Sequence, residues 1–226
     1  MARILITGSR NGLGKALVEA LRDAGHDIIE YDLEDGCDVC KPDSTLSETV
    51  GTLDILINNA GVNIIGWLEN FDEADWDRVM DTNAKGIFKM SQALLPLLIE
   101  SQGTILNIVS NAAHMPMTCS LAYNASKGAA HIMTQQLARE LTRKHNITVF
   151  GVAPNKLCNT GMSKSIDQQV VETRGWTMEK TVEYQLAGLL AKEETPPALV
   201  AELIAFLLQD KKHHKHLTGC VMPYGI

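Results

Sequence analysis

The sequence predicts an α/β fold of the Rossmann type, a doubly wound parallel sheet in a single domain spanning 1–226. Three observations carry this. Short apolar runs alternate with helix-periodic segments along the chain, the pattern of a parallel sheet with helices on both faces. The first strand-like run, residues 2–7, passes at once into a glycine-rich turn and an amphipathic helix. No internal repeat or low-complexity linker divides the chain, and 226 residues with 45% hydrophobic content suffice for one well-filled core.

Residues 2–7 read as the first strand. The turn Gly8-Ser9-Arg10-Asn11-Gly12-Leu13-Gly14 follows, and the helix after it runs through Leu21. Small residues at a strand-to-helix turn let backbone amides approach a diphosphate, and the helix amino terminus adds partial positive charge. Glycines also serve tight turns for conformational reasons alone. The strand before and the helix after favour nucleotide binding, with Gly8, Arg10, Asn11, Gly12, Leu13 and Gly14 as candidate contacts. Residues 27–32 read as the second strand and place Asp32 at its carboxyl end, where an acid holds ribose hydroxyls; a solvated carboxylate closing a strand is the competing reading. Only residues 33–37 separate Asp32 from Asp38-Val39. A parallel crossover needs about a dozen residues, so no full helix fits there. A reduced sheet is expected, shortened between its second and fourth strands, with the third missing or vestigial and the second near an edge.

Residues 53–58 form another buried-type strand, which runs into Asn59-Ala60-Gly61. Residues 72–99 read as one long helix with Asn83 inside it, an unfavourable interior residue whose side chain is either exposed or kept for a purpose. Residues 103–110 are an apolar strand ending at Ser110, whose hydroxyl could donate to a substrate oxygen. A helix over 118–144 carries Tyr123 and Lys127 on one face. A phenol beside an ammonium is a proton donor of lowered pKa, and an acid–base group works best when its pKa lies near the working pH. Taken alone, Tyr-x-x-x-Lys is equally an ordinary pair on a helix surface. Residues 163–197 read as a substrate-side lid, with Met162, Trp176, Met178, Tyr184, Leu186 and Leu189 forming an apolar wall; a helical pair packed on the core is the alternative. Pro196-Pro197 ends it before a helix over 198–209. Residues 211–216, Lys-Lys-His-His-Lys-His, read as a solvated loop rather than a metal site.

The net charge of −7 argues against nucleic acid or an anionic membrane as partner. No apolar run approaches the roughly 20 residues needed to span a bilayer, and the amino terminus shows no signal-peptide pattern, so a cytoplasmic protein is expected. Five cysteines, an odd number, suit free thiols better than a disulfide framework. Cys37-Asp38-Val39-Cys40 has redox-motif spacing but lacks a second pair to complete a zinc site, and no metal is expected.

Read together, Thr7-Gly8-x-x-x-Gly12-x-Gly14, Asn58-Asn59-Ala60-Gly61, Asn83, Ser110 and Tyr123-x-x-x-Lys127 resemble the short-chain dehydrogenase/reductase family, in its order and across nearly the whole chain. The resemblance implies an NAD(P)-dependent oxidoreductase that interconverts an alcohol and a carbonyl by hydride transfer on a small-molecule substrate. It makes Tyr123 the acid or base and gives Lys127 the tasks of lowering its pKa and holding the nicotinamide ribose. Ser110 orients the substrate oxygen, and Asn83 anchors a proton-relay water. It puts Asp38 and Val39 at the adenine pocket, Asn59 near the adenosine ribose within the Asn59-Ala60-Gly61 motif, and the Leu157 backbone at the nicotinamide carboxamide. It also implies a homodimer or homotetramer paired through helices 72–99 and 118–144, where Met90, Leu94, Leu98, Ile132, Met133 and Leu137 could cover a partner; alternatively all six face their own sheet.

Pro154-Asn155 stands where the family usually has Pro-Gly, and Pro223-Tyr224-Gly225-Ile226 where it has an acidic-glycine ending. NAD(H) is expected in preference to NADP(H), because the Asp32 carboxylate can accept from both ribose hydroxyls and would repel a 2′-phosphate. Arg10 could hold such a phosphate, yet the family's phosphate-binding positions hold Asn11 and Leu33 here, neither of them cationic. Two other functions compete. Reduction of a 3-oxoacyl group on a carrier protein needs a basic docking surface, which residues 100–103 do not offer. A non-catalytic dinucleotide-binding sensor or scaffold is opposed by the complete Asn, Ser, Tyr and Lys set.

Overall fold

A computed structural model describes residues 1–225; Ile226, the last residue of the departure at the carboxyl end, lies outside them. The chain runs β1 (Arg3–Thr7), α1 (Gly12–Asp23), β2 (Asp27–Tyr31), α2 (Leu46–Val50), β3 (Ile55–Asn58), α3 (Glu73–Met80), α4 (Gly86–Ser101), β4 (Thr104–Ile108), α5 (Leu121–His145), β5 (Thr148–Pro154), α6 (Gly161–Arg174), α7 (Met178–Ala187), α8 (Pro197–Leu208), α9 (Lys211–His214) and β6 (Val221–Tyr224). The six strands form one parallel sheet in the order β2-β1-β3-β4-β5-β6.

Strands such as β3 and β4 are buried along their whole length, as a parallel sheet covered on both faces requires. On one face Leu13, Leu17, Val18 and Leu21 of α1 and Val200, Ile204 and Leu208 of α8 pack on Ile4, Ile6, Phe150 and Val152. On the other, Met90, Leu94 and Leu98 of α4 and Leu141 of α5 pack on Leu5, Leu56, Ile105 and Val149. The chain moves outward from β1 to β2, then returns to build on the other side of β1. That reversal between β1 and β3 is the topological switch point at which α/β sheets hold ligands.

The shortened segment behaves as its length dictates. A 3₁₀ turn, Leu33–Asp35, follows Asp32, only the short α2 precedes β3, and β2 is an edge strand.

Three expectations need correction. The helix expected over 72–99 is broken by a π-helical turn, Asp81–Lys85, between α3 and α4. A π turn inserts one residue into the helical ladder, a feature frequent at functional sites, and here it carries Asn83 inward. Of the six residues weighed for a partner interface, Met90, Leu94 and Leu98 are fully buried against their own sheet, whereas Ile132 is 59% exposed. Residues 211–216 are not a solvated loop: α9 is followed by a 3₁₀ turn. His214 is buried, its Nε2 3.0 Å from Thr104 Oγ1 and its Nδ1 2.8 Å from the Leu207 carbonyl. Among the described residues no helix is long and apolar enough to cross a membrane.

Candidate active site

A cavity of about 900 Å³ opens at the carboxyl ends of β1, β3, β4 and β5. At its nucleotide end, Thr7 Oγ1 accepts the N–H groups of Asn59 (2.9 Å) and Ala60 (3.0 Å), and Asn59 Nδ2 donates back to the carbonyls of Thr7 and Gly8, both at 2.9 Å. These bonds clamp the ends of β1 and β3 together. Gly8 has φ +64°, and a Cβ on it would sit 2.8 Å from Ala60 Cα; a Cβ on Gly14 would sit 1.8 Å from the Gly8 carbonyl oxygen. No larger side chain fits either place without moving backbone. Gly14 accordingly serves the packing of the turn on α1 and does not line the cavity, while Gly8, Asn11, Gly12 and Leu13 do. Asn11 precedes α1, but its side chain bonds Glu34 (2.8 Å) and caps none of the helix amides. The first-turn N–H groups therefore face the cavity side without a side-chain partner, which suits an anionic diphosphate.

Asp32 borders the same end. Its two oxygens accept the N–H groups of Arg10 (2.9 Å) and Glu34 (3.0 Å), leaving further lone pairs for ribose hydroxyls. Asp38, Val39, Ala60 and Gly61 also line the cavity, joined by Tyr31 and Cys37. Arg10 does not. Its guanidinium makes a two-pronged contact with Asp35 at 2.8 and 2.9 Å and pairs with Glu30 at 3.3 Å. Two carboxylates at the sheet edge thus hold it away from the nucleotide site, which corrects its place among the expected contacts.

At the other end Ser110, Tyr123 and Lys127 face the cavity together. Ser110 lies two residues beyond β4 and caps a 3₁₀ turn, its Oγ accepting the Ala112 N–H at 3.1 Å. Lys127 is 4% exposed. Its Nζ donates to the Ile108 carbonyl at 2.9 Å and lies 5.8 Å from the centre of the Tyr123 ring. Burial pulls the ammonium down from its ordinary value to about 8. Burial also pushes the Tyr123 phenol up, opposed only in part by the neighbouring Ser110 hydroxyl. The expected lowering of the phenol by Lys127 is therefore not what this arrangement produces. Tyr123 stands as a protonated acid, and Lys127 is held on the carbonyl of β4.

Asn83 is fully buried and does not line the cavity. Its Nδ2 donates to the Val62 carbonyl (2.8 Å) and Ser126 Oγ (2.9 Å), and its Oδ1 accepts the Val62 N–H (2.8 Å). Both amide hydrogens are used, so the side chain pins the 61–62 loop to α5. A Cβ on Gly61 would stand 3.3 Å from Asn83 Oδ1 and 3.7 Å from Lys127 Nζ, which locates the loop between the two. Beneath them runs a relay that sequence reading missed: Asn58 donates to Asn107 and Asn107 to Thr134, each at 2.9 Å. It joins β3, β4 and α5, and its only sequence signal is an asparagine inside each of two apolar strands. Leu157 lines the cavity and bridges to Thr195. The left-handed residue after β5 is Asn159, at φ 56°, and not Asn155.

On the substrate side Met162, Tyr184 and Leu189 line the cavity as expected. Trp176 packs instead with Ile65, Cys119 and Val170, Met178 is half exposed, and Leu186 borders a separate cleft; these three are corrections. The wall is completed by Ile65, Met115, Met117, Ile166 and Val170, and the Met115-Pro116-Met117 run before Tyr123 was the signal available for two of them. Lys156 anchors the lid from below. It pairs with Asp167 at 2.6 Å and Glu194 at 2.7 Å, and bonds Gln185.

The short chain dehydrogenase family model matches residues 27–171. The 2-(S)-hydroxypropyl-CoM dehydrogenase 3 of Xanthobacter autotrophicus is 29% identical over 92% of this chain and 89% of its own. A 5-keto-D-gluconate 5-reductase of Escherichia coli is 30% identical over 79% and 80%, and a 3-oxoacyl-(acyl-carrier-protein) reductase of Vibrio cholerae 29% over 90% and 88%. Among solved structures, a short chain dehydrogenase family protein from Francisella tularensis superposes with a TM-score of 0.81 at 25% identity, covering 99% of this chain and 96% of its own.

Proposed function

We propose, for a chain that belongs to the short-chain dehydrogenase family and is therefore an NAD(P)-dependent oxidoreductase interconverting an alcohol and a carbonyl, that it works with NAD(H) and takes its proton from Tyr123. The observation that carries this reading is the meeting of Ser110, Tyr123 and Lys127 at one end of a cavity whose other end is a glycine cradle bordered by Asp32. A nicotinamide held there supplies or accepts the hydride. In the reducing direction Ser110 and Tyr123 donate hydrogen bonds to the carbonyl oxygen, and Tyr123 passes its proton to the oxygen as charge develops on it. Lys127, held by Ile108, places a cation beside the phenolate that remains. Asn83 acts at one remove, fixing the loop that packs against Lys127.

The remaining parts of the reading follow from surfaces. Helices α6 and α7 serve as the lid, excluding water from the reacting end. Phe88 and Ile99 of α4 and Ile132 of α5 are outward-facing apolar residues that support a homodimer or homotetramer. A second reading, a substrate carried as a thioester, is supported by the similarity to the Vibrio cholerae reductase. The test is a panel of ketones, alcohols and 3-oxoacyl thioesters followed by nicotinamide absorbance. Turnover should fall about 10²- to 10⁴-fold in Tyr123→Phe with NADH binding retained; full turnover in that variant would end the mechanism.

A further inference from the structure

Arg174, the last residue of α6, lines the substrate side of the cavity and forms no ion pair among the described residues. One Nη2 hydrogen bond at 2.8 Å to the Thr118 carbonyl ties it to the loop before Tyr123. Its guanidinium lies over Trp176 at 4.7 Å and Tyr184 at 5.1 Å from the ring centres. Its Nε is buried without any hydrogen-bond partner. A structural tie needs one N–H of the five that a guanidinium carries, and an unmet buried donor costs about 1–3 kcal/mol. The residue is thus built to one protein partner and left short of the rest.

Its surroundings point the same way. Among the described residues the cavity's only acidic lining groups, Asp32 and Asp38, stand at the nucleotide end. Lys156, the other lysine on the lining besides Lys127, is already neutralised by Asp167 and Glu194. On the lid itself Glu172 bonds Gln168, and neither Glu179 nor Glu183 pairs with Arg174. In a protein of net charge −7, the substrate end therefore keeps a cation held rigid by two aromatic rings, beside an apolar wall of Ile65, Ile166 and Val170.

We propose that Arg174 selects the substrate by its charge: the alcohol or ketone that reaches Tyr123 carries a carboxylate or similar oxygen anion, joined through an apolar segment, and the guanidinium binds that anion. Nη1, which makes no hydrogen bond among the described residues, presents its N–H donors to that anion, a charge-assisted contact. The proposal rests on the reading of Ser110 and Tyr123 as the reacting end.

The test compares straight-chain oxo-carboxylates with their own methyl esters in wild type, Arg174→Met and Arg174→Lys. In Arg174→Met, kcat/KM for the carboxylates should fall about ten- to a hundredfold, mainly through KM, while the esters change by less than about threefold. Arg174→Lys should restore part of the carboxylate preference, since a lysine keeps the charge and loses the fork. Equal losses on acids and esters would show a lid tie only and overturn the proposal. Calorimetric binding of the same oxo-carboxylates to the wild type and to Arg174→Met, with NADH present, separates the two readings. Carboxylate binding that depends on Arg174, without turnover, would sink the reading of Tyr123 and keep the anchor. No preference for acid over ester in binding or in rate would sink the anchor.

Discussion

Replacing Asp32 with Asn should erase most of the discrimination between NADH and NADPH. A 2′-phosphate carries about 1.5 to 2 negative charges near neutral pH. Set about 4 Å from the Asp32 carboxylate, it would be repelled by roughly 1 kcal/mol per unit charge pair in bulk water and by about 4 at an effective dielectric of 20. Asp32 is 9% exposed at the rim of the cavity, between those limits, and with about 1.5 to 2 charges on the phosphate the lower limit alone is about 1.5–2 kcal/mol, so the wild type should favour NADH by more than about tenfold. Glu30, Glu34 and Asp35 gather at the same edge, paired there with Arg10 and Arg22 or bonded to Asn11, and this acidic surplus strengthens the preference. Asn keeps one acceptor oxygen for the Arg10 and Glu34 amides and turns an NH₂ toward the other. The loss of that bond costs about 1 kcal/mol, a Tm decrease of about 2–4 °C. Fluorescence titration of both cofactors against wild type and variant gives the four constants needed. A wild type that binds NADPH as tightly as NADH, or a variant with an unchanged ratio, would refute the reasoning.

Three further outcomes follow from the same geometry. Gly14→Ala forces a methyl onto the Gly8 carbonyl, so NADH affinity should drop by more than about tenfold, with roughly 1–3 kcal/mol lost from stability; calorimetry against circular dichroism separates the two effects. Lys127 is buried with its folded pKa lowered to about 8, so the unfolded chain holds a proton there that the folded chain lacks above that pH. The penalty is therefore present in full below pH 8 and is relieved on the way to the ordinary lysine value. Urea titrations should show the wild type gaining up to roughly 3 kcal/mol on Lys127→Met over that window, and a flat difference would show the ammonium is solvated. Asn83→Leu leaves the Val62 N–H and carbonyl and Ser126 Oγ without that partner. It should cost about 2–5 kcal/mol and lower kcat more than it weakens NADH, as steady-state rates and binding together would reveal.

Features set by chain spacing were legible in the sequence, and features set by side-chain competition were not. Five residues between Asp32 and Asp38 cannot hold a crossover helix whatever surrounds them, so the edge position of β2 could be read directly. The glycine turn and the shared face of Tyr123 and Lys127 were legible because backbone approach and helical periodicity fix them locally, whereas the meeting of Ser110 with that face depends on how β4 packs beside α5. Arg10 was illegible because its place depends on Asp35 and Glu30 reaching it first. The break in the helix at Asn83 was hidden for a similar reason: its cause is the loop at Val62, distant in sequence. Trp176 and Leu186 have the composition of cavity residues, but which way a lid helix rolls is decided by partners such as Lys156 beneath it.

Ending the sheet at β2 also shapes how copies of the chain meet in solution. An edge strand offers a row of main-chain donors and acceptors on which another extended segment can grow, the route by which sheets polymerise. Here the strand is five residues long and bears Asp27 and Glu30, tethered to Arg3 at 3.6 Å and to Arg22 at 2.7 Å. Short length and fixed charge make the border a poor template. Neutralising it, as in Asp27→Val with Glu30→Val, would leave an uninterrupted apolar ribbon from residue 27 to Tyr31 and should turn a well-behaved solution into one that forms thioflavin-positive aggregates on mild heating.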